Sequence, residues 1–153
     1  DFENAANIGR KVAGRALDAL VGAEFQAEPK ASFRRSAIEI PMENEIFSEL
    51  HRKGVLKRGI SNGRLKTEVT VARIAGAQFA TIPGEAFPNL GSQLKGMMKA
   101  RFKFILGIAE DELGYIMQES DFKLKLYSYE QNMSVGPSTW PIVKGALAGL
   151  LSP

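Results

Sequence analysis

Two short motifs, each placed after an apolar run, constrain the fold of this chain more than any other feature. They are Ile82-Pro83-Gly84-Glu85 and Leu113-Gly114-Tyr115-Ile116, and the residues between the two apolar runs have the spacing of a helix. A strand–helix–strand unit brings the carboxyl ends of two parallel strands to the same edge of a sheet, where open α/β sheets bind their ligands. Glu85 and Tyr115, which are 30 positions apart, are therefore expected to approach each other in space.

Hydrophobic periodicity and turn residues predict the other elements. Helices are indicated at 3–21, 45–53, 90–100 and 140–150, and strands at 33–41, 69–75, 78–82 and 102–108. The turn at Gly76 predicts a tight hairpin between two of these strands. The elements together predict an α/β fold, with α+β as the alternative, built on a mixed sheet with a strand–helix–strand unit at 77–109 and flanking helices. Phe102 and Phe104 are expected in the core.

The composition is that of an ordinary globular domain. Hydrophobic residues make up 44% and charged residues 24% of the 153 residues, which suits one domain with a substantial core. Cysteine is absent, which excludes disulfides, thiolate nucleophiles and cysteine-based metal sites within the chain. No apolar run reaches the roughly 18 residues of a membrane span and no secretory signal is visible, so the chain is not expected to be transmembrane and its compartment stays open.

A basic stretch at 52–66 and a single histidine are further candidate features. The stretch contains Arg52, Lys53, Lys57, Arg58, Arg64 and Lys66 and no acidic residue. It is interpreted as a solvated loop or as a surface for the phosphates of an anionic partner, and its lack of aromatic residues argues against nucleic acid. Because His51 is the only histidine, the chain alone cannot build a two-histidine zinc site.

Two runs of the sequence resemble the neutral/alkaline (non-lysosomal) ceramidase family. They are VTVARIAGAQFATIPGE at 69–85 and LGIAEDELGYI at 106–116. The pairs Asp121-Phe122, Tyr129-Glu130 and Gly136-Pro137 are similar to that family's closing segment, and residues 1–9 are similar to an interior helix. The likeness is close over about residues 68–137, and it is closer to the short prokaryotic branch than to the long enzymes.

The resemblance implies a zinc-dependent amide hydrolase. It implies that Glu85 and Tyr115 are zinc ligands, and that two histidines and a serine implicated in catalysis lie upstream of Asp1. The chain, 1–153, would then be a single domain forming the C-terminal portion of a larger catalytic domain, inactive alone and sharing one zinc ion with residues outside it. Its partners would be the remaining N-terminal part or a companion chain, and a lipid-like linear amide such as ceramide, cleaved to a fatty acid and an amino alcohol.

These residue types suit that chemistry. Zinc accepts oxygen ligands, and a catalytic zinc keeps one position open for water. The phenol of Tyr115 has an ordinary pKa of about 10, and a bound cation favours its anionic form. Tyr115 is therefore a candidate both as a metal ligand and as a catalytic donor to a developing oxyanion. Asp111 is a candidate for orienting the loop that carries Tyr115.

Other interpretations of the same residues stay open. Glu85 can simply begin a helix, whose positive end favours acidic side chains, and Tyr115 can close the sheet edge as a half-buried aromatic residue. The rival functions are a non-catalytic interaction module that binds an anionic partner through 52–66, and a decayed ceramidase-like fold without activity. Ala86, where the long enzymes carry an aromatic residue, and the stretch 52–66, which has no clear counterpart, depart from the family.

Overall fold

A mixed β-sheet forms the centre of the computed structural model, which describes residues 1–152. The helices are α1 (Phe2–Leu20), α2 (Glu45–Arg52), α3 (Pro88–Met97), α4 (Ser128–Asn132) and α5 (Thr139–Leu151). The strands are β1 (Ala31–Pro41), β2 (Ile60–Ser61), β3 (Arg64–Ile74), β4 (Ala77–Ile82), β5 (Glu85–Ala86), β6 (Phe102–Gly107) and β7 (Tyr115–Ile116). Short 3₁₀ helices at Glu119–Lys123 and Lys125–Tyr127 lie between β7 and α4.

The order of the strands confirms the expected α/β fold. Within residues 1–152 the main sheet has the order β1-β3-β4-β6, with β2 paired to the start of β3. The β1–β3 and β3–β4 pairs are antiparallel, whereas β4 and β6 are parallel because α3 crosses over between them. The β3–β4 connection is the expected tight hairpin, in which Ile74 pairs with Ala77. Ala75 has a φ of 51°, the conformation that primed hairpin turns need at their first central residue.

Helices α3 and α5 cover one face of this sheet, and the core lies between them and the strands. Its fully enclosed members include Ile40, Leu65, Val69, Ile82, Leu90, Leu94, Val143 and Leu147. Burying each such aliphatic side chain stabilises the fold by about 1.5–3 kcal/mol. The Nη1 of Arg34 donates to the carbonyl oxygens of Leu150 and Ser152, at 3.2 and 2.8 Å, and so satisfies the carboxyl end of α5.

The opposite face of the sheet is open to solvent, which corrects one expectation. Phe102 and Phe104, expected in the core, are 51% and 45% exposed, whereas Ile105 packs against the core. Successive side chains of a strand point to opposite faces, and within residues 1–152 the helices cover only the face that Ile105 occupies. Helix α1 is also exposed along its whole length.

Some element boundaries differ from the predicted ones. β3 begins at Arg64 rather than at residue 69, because Asn62 and Gly63 form a turn with positive φ values that pairs β2 with β3. The expected loop at 52–66 is therefore shorter: residues 60–66 form a hairpin, and residues 53–59 between α2 and this hairpin are turn and loop. The polar segment at 110–120 contains β7. In the part of the chain that the structure describes, no helix has the length and apolar character needed to cross a bilayer.

A second, two-stranded sheet is formed by the parallel pairing of β5 and β7. Two glycines allow the backbones to meet there: a Cβ on Gly84 would lie 2.5 Å from the carbonyl oxygen of Gly114. Gly114 itself has a φ of 75°, and a Cβ on it would overlap the carbonyl oxygen of Met133. The glycines of the two motifs are thus required by the close approach of the segments that carry Glu85 and Tyr115.

We expect Gly114→Ala to lower the free energy of unfolding by more than about 2 kcal/mol, because the left-handed backbone and the overlap with Met133 both oppose a Cβ. Gly145→Ala, in the exposed middle of α5 where an added Cβ meets no atom within 4 Å, is the control. Its better helix propensity should stabilise the protein by up to about 1 kcal/mol. Urea denaturation followed by circular dichroism measures both, and wild-type stability of Gly114→Ala would contradict the β5–β7 packing.

Candidate functional site

Glu85 and Tyr115 lie side by side at one edge of the fold. The parallel pairing of β5 and β7 puts the two residues in register, and the backbone N–H of Glu85 donates to the Gly114 carbonyl at 2.9 Å. The N–H of Tyr115 donates to the Met133 carbonyl at 2.9 Å, which holds β7 against the segment that follows α4. The structure thus brings together two residues that the sequence places 30 positions apart.

The two side chains also interact through charge. The negative charge of Glu85 raises the pKa of the Tyr115 phenol above its ordinary value, with smaller contributions from desolvation and from Tyr129 and Glu130. The phenol is therefore neutral at pH 7 and able to donate a hydrogen bond. A cation bound beside Glu85 would offset that charge and favour the phenolate.

The surroundings of the pair combine oxygen donors with apolar surface. Glu85 is exposed and Tyr115 is half-buried. The Tyr115 ring packs edge-on against the Tyr129 ring, with 6.0 Å between centroids, and this contact restricts its orientation. An open depression of about 310 Å³ lies beside Glu85 and is lined mainly by apolar groups such as Phe87 and Ile105.

Asp111 precedes β7, and its carboxylate is engaged by Arg58. The guanidinium forms a two-point ion pair with it, with Nη1 2.7 Å from Oδ1 and Nη2 in contact with Oδ2. The hydrogen bond from Arg58 is the main reason why the pKa of Asp111 falls to about 2. Because Arg58 also donates to the Lys66 carbonyl of β3 at 3.2 Å, the pair connects the loop before β7 to the main sheet. Such a connection is the arrangement expected of a residue that orients this loop.

Arg58 is the residue that sequence reasoning misses. The sequence feature that indicates it is the opposite charge of the basic stretch 52–66 and the acidic run at 110–112. Three acidic side chains elsewhere in the described chain offset three of the six positive charges of that stretch. Ion pairs with Glu39, Glu49 or Asp111 involve Arg52, Lys53, Arg58, Arg64 and Lys66. This neutralisation weakens the case for an anionic partner.

The described residues offer part of a metal site. Within residues 1–152, no group of three or more histidine, aspartate or glutamate side chains is arranged so that it could hold a metal ion. His51 lies on α2, with its Nδ1 3.2 Å from the Leu56 carbonyl oxygen. The carboxylate of Glu85 and the phenol of Tyr115 fit zinc in donor type, since zinc accepts oxygen ligands. A catalytic zinc site uses about three protein ligands, so this pair would need ligands from outside these residues.

Comparison with known proteins shows a fold relationship. No protein-family model matches the chain, and no curated protein does. The fold is similar to part of the solved structure of neutral ceramidase from Pseudomonas aeruginosa, with a TM-score of 0.55 and 14% sequence identity. The match covers 88% of this chain and 29% of that chain, so the chain spans less than a third of the ceramidase's length. The chain therefore has a ceramidase-like fold that corresponds to one segment of that larger protein.

We expect Asp111→Asn to lower the free energy of unfolding by about 1–3 kcal/mol at neutral pH, because it removes a charge-assisted hydrogen-bonded pair. The folded-state pKa of about 2 lies below the ordinary value of about 3.9. The pair therefore stabilises the fold fully above about pH 4 and loses its effect as the pH falls toward about 2. Urea denaturation over this range should show the difference between wild type and variant shrinking.

Glu110→Gln is the matched control for this measurement. It removes an exposed charge next to Asp111 and should change the free energy of unfolding by less than about 0.5 kcal/mol. A wild-type advantage over Asp111→Asn that stays constant down to the lowest pH would contradict the assigned pair.

Proposed function

We propose that this chain is part of a zinc-dependent amide hydrolase and that Glu85 and Tyr115 are its ligands to a single zinc ion. The observation that carries the proposal is the meeting of an exposed carboxylate and a phenol where β5 pairs with β7. The similarity of the fold to a segment of neutral ceramidase supports it. Two histidines would complete the site, supplied by the remaining N-terminal part of the catalytic domain or by a companion chain.

Each residue of the pair has a defined task in this proposal. A bound zinc ion supplies a water of lowered pKa, about 7, and polarises the carbonyl of the amide. Glu85 provides the negative charge that holds the cation. Tyr115 either binds as the phenolate or, as the neutral phenol, donates a hydrogen bond to the carbonyl oxygen as negative charge develops on it. The Tyr129 ring limits the directions in which that phenol can point.

The substrate class we propose is a linear amide that joins an acyl chain to an amino alcohol, as in ceramide. The name of the structural neighbour supports this class. The apolar depression beside Glu85 supports it independently, because it offers hydrocarbon contacts next to the proposed zinc ligand. The rival interpretation is a decayed ceramidase-like fold without activity. Because such a protein would bind no zinc, its zinc content distinguishes it from this proposal.

In the complete protein that contains this chain, Glu85→Gln is expected to lower the affinity for zinc by about tenfold or more, because a neutral amide replaces the anionic ligand. Elemental analysis after dialysis against a weak chelator measures the retained zinc. Glu110→Gln, which removes an exposed carboxylate from the loop after β6, should retain the wild-type content. Equal zinc in wild type and Glu85→Gln would remove the metal assignment.

Tyr115→Phe is expected to lower kcat for amide hydrolysis by about 10²-fold or more, the effect of losing one oxyanion donor. Zinc content separates the two tasks: zinc lost together with activity identifies a ligand, and zinc retained identifies a hydrogen-bond donor. Tyr127→Phe removes a phenol whose ring packs on Phe87 and should leave kcat unchanged. Wild-type activity of Tyr115→Phe would contradict both tasks.

A further inference from the structure

β6 has the residue pattern of a strand that is covered on both faces. Phe102, Phe104 and Leu106 occupy its outer face, and Ile105 packs against the core on its inner face. Near-continuous apolar strands of this kind are typical of parallel sheets, which occur almost only with both faces covered. Within residues 1–152, helices cover only the inner face of the parallel β4–β6 pair. The outer face of β6 therefore has the residues of a contact surface, and residues 1–152 leave it uncovered.

The outer side chains form a continuous apolar row across the sheet. The strand registers align Phe33 with Ala72, Ala72 with Phe79, and Phe79 with Phe104. The rings of Phe79 and Phe104 stack with 4.8 Å between centroids, and Phe33 is 73% exposed. We call Phe33, Phe79, Phe102 and Phe104 the phenylalanine face. A contiguous exposed apolar patch of this kind marks an interaction surface on a folded protein.

β6 also leaves one edge of the main sheet without a partner strand in the described chain. The Phe102 N–H points toward β4, since it donates to the carbonyl of Gly76 at 3.2 Å. N–H directions alternate along a strand, so the N–H groups of Lys103, Ile105 and Gly107 point away from β4. These three donors are placed to receive a further strand.

The two edges of the sheet differ in how they are protected. β1, at the far edge, ends at Pro41 and carries Arg35 and Glu39, which form ion pairs with residues of β3. Proline and charged side chains are the features that keep a natural edge strand from pairing with another chain. β6 has no proline and carries Lys103 as its only charged residue. β6 is therefore the less protected of the two edges.

We propose that a β-strand of the remaining catalytic-domain polypeptide pairs with the free edge of β6 and that this polypeptide covers the phenylalanine face. The partner's identity rests on the proposed function. It is favoured over a second copy of this chain because the matched fold extends far beyond this segment, which corresponds to 29% of the ceramidase chain. A strand parallel to β6 would also direct its carboxyl end toward the edge where Glu85 and Tyr115 lie.

Hydrogen exchange on the complete protein, read at single-residue resolution, tests the pairing. The amides of Lys103, Ile105 and Gly107 should exchange on the order of 10²-fold more slowly than unpaired amides. The outward amides of β1 serve as the reference and should exchange fast. Fast exchange at all three β6 positions would overturn the proposal.

Photo-crosslinking identifies what covers the phenylalanine face. Phe104 is replaced by p-benzoylphenylalanine, which keeps an aromatic ring on the outer face, and the cross-linked peptides are sequenced. Peptides from outside residues 1–153 are expected. Cross-links to residues 31–107 of a second copy, cross-links to α1, or none at all would each overturn the proposal.

Neither measurement depends on zinc or on hydrolysis. Both are repeated on Glu85→Gln, in which the proposed metal site is broken while the phenylalanine face is untouched. If wild-type protein binds no zinc but shows slow exchange and external cross-links, this interface is upheld and the proposed function is rejected. If wild-type protein binds zinc normally but shows fast exchange at β6, the proposed function is upheld and this interface is rejected.

Discussion

The close approach of two backbone segments at Gly84 and Gly114 is the constraint on which the candidate site depends. Only residues without a Cβ fit there, because a side chain on Gly84 would press on the Gly114 carbonyl and one on Gly114 would overlap Met133. The approach lets β5 and β7 pair in register. That register in turn places a carboxylate against a phenol and raises the pKa of the Tyr115 hydroxyl.

Two carboxylates near this edge have different surroundings. Asp111 is held by a two-point ion pair with Arg58, which lowers its pKa and joins a loop to the main sheet. Glu85 makes no ion pair within residues 1–152 and is exposed beside Tyr115. The same contrast explains why we propose Glu85, and not Asp111, as the ligand.

Several features of the molecule are incomplete in the same way. The outer face of the sheet is apolar and open, α1 exposes its apolar residues, and the Glu85–Tyr115 pair has fewer donors than a catalytic metal needs. Under the proposed function these features have a single cause, because a fold that corresponds to part of a larger catalytic domain must expose the surfaces that join it to the rest.

The sequence by itself determined the four longer helices, the four longer strands and their order, the hairpin at Ala75-Gly76 and the strand–helix–strand unit that brings Glu85 toward Tyr115, because these depend on local periodicity and turn chemistry. The short strands β2, β5 and β7 and the short helix α4 were not predicted. Only the tertiary structure decided where β3 begins, that Arg58 pairs with Asp111, and which face of β6 meets the helices. Alternation along β6 shows that Phe104 and Ile105 lie on opposite faces, but covering a face requires contacts with distant residues, and those contacts are not written in the local pattern.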